Sequence, residues 1–266
     1  MQDTSYIIPF RAGDDPDRRA NLEAVLAWLR TLAPGRVIVV EQDIAPTLGD
    51  LPLWPGLQLL FTYGPGPFNK SWAMNVGYRA AETPVLAFGD ADVIGPGLAQ
   101  AVAAVREGVP AVRAYARVLD LDAAASRRLR GDPAALAAPG FAADAPPREQ
   151  TGEVPPSCGG IVVFQRAIFE LLGGWDERFE GWGGEDDAMD HKLARAGIRP
   201  GIVAGSRAYH LHHRRDRAAD APLYRNNLAL LGQLRAMPDE ALRRMCEVTL
   251  QIIGNPEMYR PLERLE

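Results

Sequence analysis

The sequence is short of most features that would staple, anchor or broadly charge a protein. Two cysteines, Cys158 and Cys246, occur in 266 residues. Their spacing makes neither a disulfide framework nor a thiolate zinc site. No apolar run approaches the roughly 20 residues of a membrane-spanning helix. The opening MQDTSYIIPF has no basic n-region and no apolar h-region, so no secretory signal is expected. Basic residues are not in excess either. Against 34 Asp and Glu stand 29 Lys and Arg, a formal charge of -5. That balance argues against a general nucleic-acid binder but leaves room for a nucleotide, which needs only a local site. No internal repeat or domain linker is visible. A cytoplasmic protein, at most resting against a membrane surface, is the expectation.

What is present is a large apolar fraction, 47% of residues, enough for a sizeable core. YIIPF (6–10) reads as a buried strand, and Leu22, Val25, Leu26 and Leu29 follow at helical spacing. RVIVVEQD (36–43) and LQLLFTY (57–63) read as strands, Ala73 to Ala80 as a helix, and PVLAFGDAD (84–92) as a strand with aspartates at its end. A helix over about 96–107 precedes AVRAYARV (111–118), another strand. CGGIVVFQR (158–166) is a strand, EDDAMDHKLARAG a helix, and 199–216 a pair of short strands ending in histidines. Two helices, about 219–235 and 239–253, close the chain. This alternation predicts an α/β fold with a mostly parallel sheet covered on both faces. In such sheets ligands bind beyond the carboxyl ends of the strands. Pro9-Phe10-Arg11 and Asp90-Ala91-Asp92 both fall there. The segment 118–156 is rich in Ala, Pro, Gly and charge, and reads as a long, partly mobile excursion with one short helix.

Three groups carry chemistry. On a strand end, Asp90 and Asp92 would point the same way and could share a divalent cation, or one could take the cation and the other a ribose hydroxyl. A lone D-x-D is also common in turns. HLHH gathers His210, His212 and His213, three of the four histidines. With an upstream D-x-D, an Asp/His donor set points to Mn²⁺ over Mg²⁺. Strand geometry pairs His210 with His212; a turn after the strand would pair His210 with His213. The third group is GWGGEDD, residues 181–187. Acids at a helix N-terminus need no function, because the macrodipole favours them. The preceding glycines and Trp182 ask for more: backbone freedom and a flat apolar face beside carboxylates, which together suit a sugar ring. One acid could then act as a general base.

These blocks resemble the GT-A-fold glycosyltransferases, in particular the β-1,4-galactosyltransferase family and its bacterial relatives. WDERFEGWGGEDDAMDHKL is similar to that family's FDxRFxGWGGEDDD, and FNKSWAMNVGYRAA (68–81) to its FNRAxLLNVGF. IIPFR (7–11), FGDADV and HRRD (213–216) stand in the family's order. The resemblance implies a single GT-A domain over 1–266. Its nucleotide-sugar part would span about 1–116, the excursion 117–156, the acceptor and catalytic part 157–216, and C-terminal helices 217–266.

It also implies roles. Pro9, Phe10, Arg11, Asn69, Lys70, Asn75, Asp90, Ala91 and Asp92 would line the nucleotide-sugar site. Asp92, His210 and His213 would bind Mn²⁺, with Mg²⁺ as the alternative. Trp182, Gly184, Glu185, Asp186 and Asp187 would bind the acceptor, with Asp186 the general base. Lys70 stands where the family has arginine, and Ala188 where it has the last acid. Animal members are membrane-anchored and disulfide-bonded, which places this chain with the cytoplasmic bacterial kind. The expected function is inverting, metal-dependent transfer from a UDP-sugar of galactose or N-acetylgalactosamine type to a glycan or glycoside hydroxyl. The alternatives are a non-catalytic nucleotide-sugar or carbohydrate binder and a nucleotide-sugar hydrolase.

Overall fold

A computed structural model describes residues 1–137, 141, 145, 158–214 and 217–259, with only the backbone given for 217–221. In chain order the elements are β1 (Thr4–Phe10), α1 (Pro16–Leu32), β2 (Arg36–Asp43), β3 (Leu57–Tyr63), α2 (Lys70–Ala80), β4 (Val85–Gly89), β5 (Val93–Ile94) and α3 (Leu98–Arg106). Then come β6 (Ala111–Arg113), β7 (Arg117–Asp120), α4 (Ala123–Gly131), a 3₁₀ turn (Pro133–Ala137), β8 (Ile161–Gln165), α5 (Arg166–Leu171) and α6 (Glu185–Arg195). The chain ends with β9 (Gly201–Ile202), β10 (Arg207–His210), α7 (Arg217–Ala236) and α8 (Asp239–Ile252).

Seven strands form the central sheet in the order β3-β2-β1-β4-β8-β6-β9. All its neighbouring pairs are parallel except those involving β8, which runs antiparallel to β4 and β6. Alternation along the strands sends side chains to two cores. Tyr6, Ile8, Phe10, Val37 and Val39 face one core, with Leu22, Val25 and Leu29 of α1 and Leu98 and Val102 of α3. Ile7, Ile38 and Val40 face the other, with Trp72 and Met74 of α2, Phe169 of α5 and Met189 and Leu193 of α6. The near-continuous apolar character of β1, β2 and β4 follows from burial on both faces. Leu231, Leu234, Leu242 and Cys246 of α7 and α8 pack on Phe179 and Ala188 in a third, smaller core.

A second sheet, β5-β10-β7, lies beside the carboxyl end of β4. It corrects two sequence expectations. AVRAYARV is not one strand. Ala114 N–H still reaches the Ile161 carbonyl in the large sheet, whereas Ala116 N–H already reaches Ser206, and the chain changes sheet between them. Likewise β9 extends the large sheet while β10 builds the small one. The expected excursion begins as ordered structure: β7, then α4, whose Asp122 side chain caps the helix by accepting from Ala125 N–H at 2.7 Å. The 3₁₀ turn Pro133–Ala137 follows; residues 138–140, 142–144 and 146–156 of that expectation lie outside the described residues, as do Arg215 and Asp216 of HRRD.

Candidate active site

The D-x-D is a turn after β4, not the end of a strand. The rule that i and i+2 share a face therefore does not apply, and the two aspartates part. Asp92 turns to the small sheet. Its Oδ2 lies 3.2 Å from His213 Nε2 and 3.6 Å from His210 Nε2. One ligand atom from each of the three residues lies within 4.8 Å of the others. The main chain turns after β10, so His210 and His213 converge. His212 points away, 47% exposed and 3.6 Å from Asp17. His210 Nδ1 meets Asp120 at 3.1 Å. A carboxylate on one ring nitrogen leaves the other to face the site, the usual arrangement behind a metal-binding histidine. Burial pushes the Asp92 carboxyl up, but the two histidines, His210 foremost, outweigh it and hold it well below the usual range. One carboxylate and two imidazoles suit Mn²⁺.

Asp90 turns the other way, to Lys70 at 3.0 Å. Lys70 is the first residue of α2, and its ammonium also lies 3.4 Å from Glu185 and 3.6 Å from Asp186, both in the first turn of α6. Three carboxylates thus surround one cation. Burial works against the charge on Lys70, yet Asp186, Asp90 and Glu185 overcome it and hold the ammonium well above its ordinary pKa. Asp186 is pushed up to about 8. Burial is the main cause; Lys70 opposes it, and Glu185, Asp90 and Asp190 add to it. Its side chain is still 22% exposed, so the carboxylate is sheltered but reachable. Asp186 Oδ1 has no hydrogen-bond partner at bonding distance.

The glycines explain how α6 reaches this place. Gly183 and Gly184 both have φ of +94°, a conformation other residues rarely adopt. A Cβ on Gly184 would also come within 2.8 Å of the Phe179 ring, and one on Gly183 within 2.8 Å of Tyr224. Gly159, before β8, packs so closely that a Cβ there would sit 2.9 Å from Asp186 Oδ2. Trp182 is 61% exposed and stacks on Tyr224 of α7, centroids 5.1 Å apart. Asn227 of α7 donates to the Glu180 and Trp182 carbonyls at 2.9 and 3.3 Å, which holds the loop. Asp187 is half-buried on the same helix turn.

Not every expected donor-site residue faces this space. Asn69 is wholly buried and caps α2, accepting from Trp72 N–H at 2.8 Å and donating to the Glu177 carbonyl at 2.7 Å. Asn75 is also wholly buried, bonded to Trp175 and Glu177. Both tie α2 to the loop before GWGG, a fold role that a sequence motif cannot distinguish from ligand contact. Arg11 donates to the Gly66 and Gly64 carbonyls at 2.7 and 2.8 Å and so braces the loop beyond β3. Pro9 and Phe10 are buried in and after the strand centre, Phe10 in the α1-side core, and Ala91 is the middle of the D-x-D turn. The residues missed from sequence are Asp120, Tyr224 and Asn227. Nothing local marks them, because each acquires its place only through tertiary contact.

Sheet, D-x-D turn and carboxylate-bearing helix together define the GT-A glycosyltransferase fold. Residues 143–214 match the family described as the N-terminal domain of galactosyltransferase. That segment carries the whole GWGGEDD block, His210 and His213. Among solved structures, GalNAc-T7 with UDP, GalNAc and Mn²⁺ aligns with a TM-score of 0.59 and 14% identity, over 93% of this chain and 53% of that one. Glucosyl-3-phosphoglycerate synthase from Mycobacterium tuberculosis, with Mn²⁺, UDP and phosphoglyceric acid, aligns at 0.54 and 16%, over 88% and 79%. A Drosophila β1,4-galactosyltransferase 7 complex with manganese, UDP-Gal and xylobiose aligns at 0.47 and 17%; this chain covers 65% of its length, with 76% of its own residues. No curated protein sequence matches the chain. The structures aligned over 88% and 93% of this chain share its fold, and the chain spans just under two thirds of the galactosyltransferase 7 structure and about half of the GalNAc-T7 structure. No helix among the described residues is long and apolar enough to cross a membrane.

Proposed function

We propose that the protein is an inverting, metal-dependent glycosyltransferase that moves a sugar from a UDP-sugar, of galactose or N-acetylgalactosamine type, to a hydroxyl of a glycan or glycoside. The observation that carries this reading is the D-x-D turn itself: one aspartate joins two histidines, and the other joins the Lys70–Asp186 cluster. A donor held at the first would present its anomeric carbon to a hydroxyl bound at the second. Asp92, His210 and His213 would hold Mn²⁺, which when bound neutralises charge building on the departing diphosphate.

The chain's own groups do the rest. Trp182 and Glu185 orient the acceptor ring, with Asp187 at the rim. Asp186 accepts the proton of the attacking hydroxyl as the new C1–O bond forms and the bond to the UDP oxygen breaks. A carboxylate pushed up to about 8 is a stronger base than an ordinary one; it is mostly protonated near neutral pH, and the anionic fraction that does the work grows as pH rises toward 8. Attack from the face opposite the leaving group turns an α-linked donor into a β-linked product. Lys70 favours the anionic form of Asp186, opposing the burial that protonates it.

The test is calorimetric binding of UDP, GDP and dTDP, each with Mn²⁺ and with EDTA, on the wild type and on Asp186→Asn. UDP binding that requires Mn²⁺ and survives the substitution, with transfer lost, is the expected result. Loss of UDP affinity in Asp186→Asn would place that residue in the donor site instead. Equal release of free sugar with and without acceptor would favour a hydrolase.

A further inference from the structure

The two histidines of the metal site are three residues apart at the end of a strand. An extended chain would place His210 and His212 on one face and His213 on the other. Convergence of His210 and His213 therefore depends on the path of the main chain through 211 and 212, which is held from outside. His210 C=O accepts from Leu121 N–H at 2.9 Å, and Leu211 N–H donates to the Asp92 carbonyl at 2.8 Å. His212 N–H donates to the Ser126 hydroxyl of α4 at 2.8 Å. His212 C=O accepts from Arg130 Nη2 of α4 at 2.8 Å and from Asn21 Nδ2 of α1 at 3.2 Å. Arg214 N–H donates to Asp15 at 2.6 Å.

Arg130 is the centre of this arrangement. Its Nε donates to Asn21 Oδ1 at 2.8 Å and its Nη1 to Asp17 at 2.7 Å. A planar fork with fixed donors can hold three acceptors at set angles, which a lysine cannot. Asn21 is wholly buried and Arg130 largely so.

We propose that Arg130, with Ser126 and Asn21, is a positioning clamp: it grips both polar groups of the His212 main chain and thereby fixes the angle between the two histidine ligands. This gives the excursion after β7 a function in the donor site. It would explain why α4 lies against α1 and the 211–214 segment. The inference rests on the Asp92–His210–His213 metal site of the proposed function.

The test is Mn²⁺ titration of the full chain at fixed UDP, read by the electron paramagnetic resonance signal of free Mn²⁺. Thermal unfolding and UDP affinity at saturating Mn²⁺ are measured beside it. Arg130→Met removes the donors while keeping a long side chain; Ser126→Ala removes only the hydroxyl. Mn²⁺ affinity should fall about 10- to 100-fold in Arg130→Met, the range for losing a partner that orients a ligand, and less in Ser126→Ala. Arg130→Lys should recover only part of it. UDP affinity at saturating Mn²⁺ should not change. Mn²⁺ affinity within twofold of wild type in both folded variants would overturn the clamp and leave the metal site standing. A wild type that binds no Mn²⁺ would overturn the metal site and the clamp together. Should Arg130→Met fail to fold, Ser126→Ala decides by the same readings.

Discussion

The two sides of the D-x-D turn are built on opposite plans. Around Asp92 stand two imidazoles, groups that are neutral or cationic but never anionic. Around Lys70 stand three carboxylates. The first side sets two carboxylates, Asp92 and Asp120, among imidazoles, a donor set that suits a divalent cation. The second carries its own permanent cation and still has acid in excess. The difference teaches how one turn can serve two chemistries. A removable metal suits a leaving group that must be bound and released each cycle. A fixed ammonium suits a proposed base that burial and neighbouring acids drive toward its protonated form, because it restrains that rise without removing the affinity for a proton. The comparison breaks if both sides turn out to bind metal, or if neither does.

The sharpest attempt to separate the sides is Asp186→Asn against Asp92→Asn. In Asp186→Asn, transfer should fall by about 10²- to 10⁴-fold, the usual worth of a general base. Mn²⁺-dependent UDP binding should persist. Asp92→Asn should remove that binding and transfer with it. If the two variants behave alike in calorimetry, the sides are not independent.

Lys70 is the next place to press. Lys70→Met leaves Asp90, Glu185 and Asp186 without their cation. Removing one partner of a sheltered ionic group costs up to about 3 kcal/mol where the remaining acids can take up protons. Chemical unfolding at pH 8 should show that loss, and the loss should shrink toward pH 5, where protons replace the lysine. Stability unchanged at both pH values would mean that the cluster is solvated rather than paired.

A pH series reads the same cluster with smaller steps. Asp186 is raised from 3.8 to about 8. Its protonated form is therefore favoured by the fold, and the stability this confers, complete below the unfolded value, is lost as pH rises toward and through about 8. The base is active in the other form, so transfer should climb with pH and level off above about 8, falling about tenfold per unit well below it. Wild type should accordingly lose stability between about pH 4 and 8 relative to Asp186→Asn. Parallel stability profiles for the two proteins would remove the elevated carboxyl from the account.

The comparison also separates what could be read from sequence from what could not. β2 and β3 cover the stretches RVIVVEQD and LQLLFTY read as strands; β2 is buried on both faces, whereas β3, at the sheet edge, is mostly half-buried and was marked by its β-branched and aromatic residues. GWGGEDD stood out because three glycines, an indole and three adjacent acids rarely coincide for any bland reason, and all three glycines are left-handed in the structure. The D-x-D geometry was not legible. Strand alternation predicts that Asp90 and Asp92 agree, and a turn makes them part. The histidine choice was left open for the same cause: it hangs on contacts of His212 with α1 and α4, 191 and up to 86 residues away in sequence. Asn69 and Asn75 show the converse: their motif stands out in the sequence, and in the structure their side chains cap α2 and hold the loop before GWGG.

Trp182 sharpens the carboxylate side with the smallest effect. The indole is mostly exposed and touches Tyr224, so Trp182→Ala gives up little buried area, and stability should change by about 0.5 kcal/mol or less. The same exposure leaves the ring open to solvent three and four residues before Glu185 and Asp186. A sugar stacked there would bury apolar surface on both partners while its hydroxyls meet the acids. Trp182→Ala should therefore raise the acceptor KM by roughly tenfold, about 1.4 kcal/mol of lost binding. The donor KM and the Mn²⁺ dependence should stay where they were, because Asp92 and its histidines face the other way. A rise in both KM values would mean that the loop carrying Trp182 closes over donor and acceptor together, and the two sides of the turn would then be coupled through the indole.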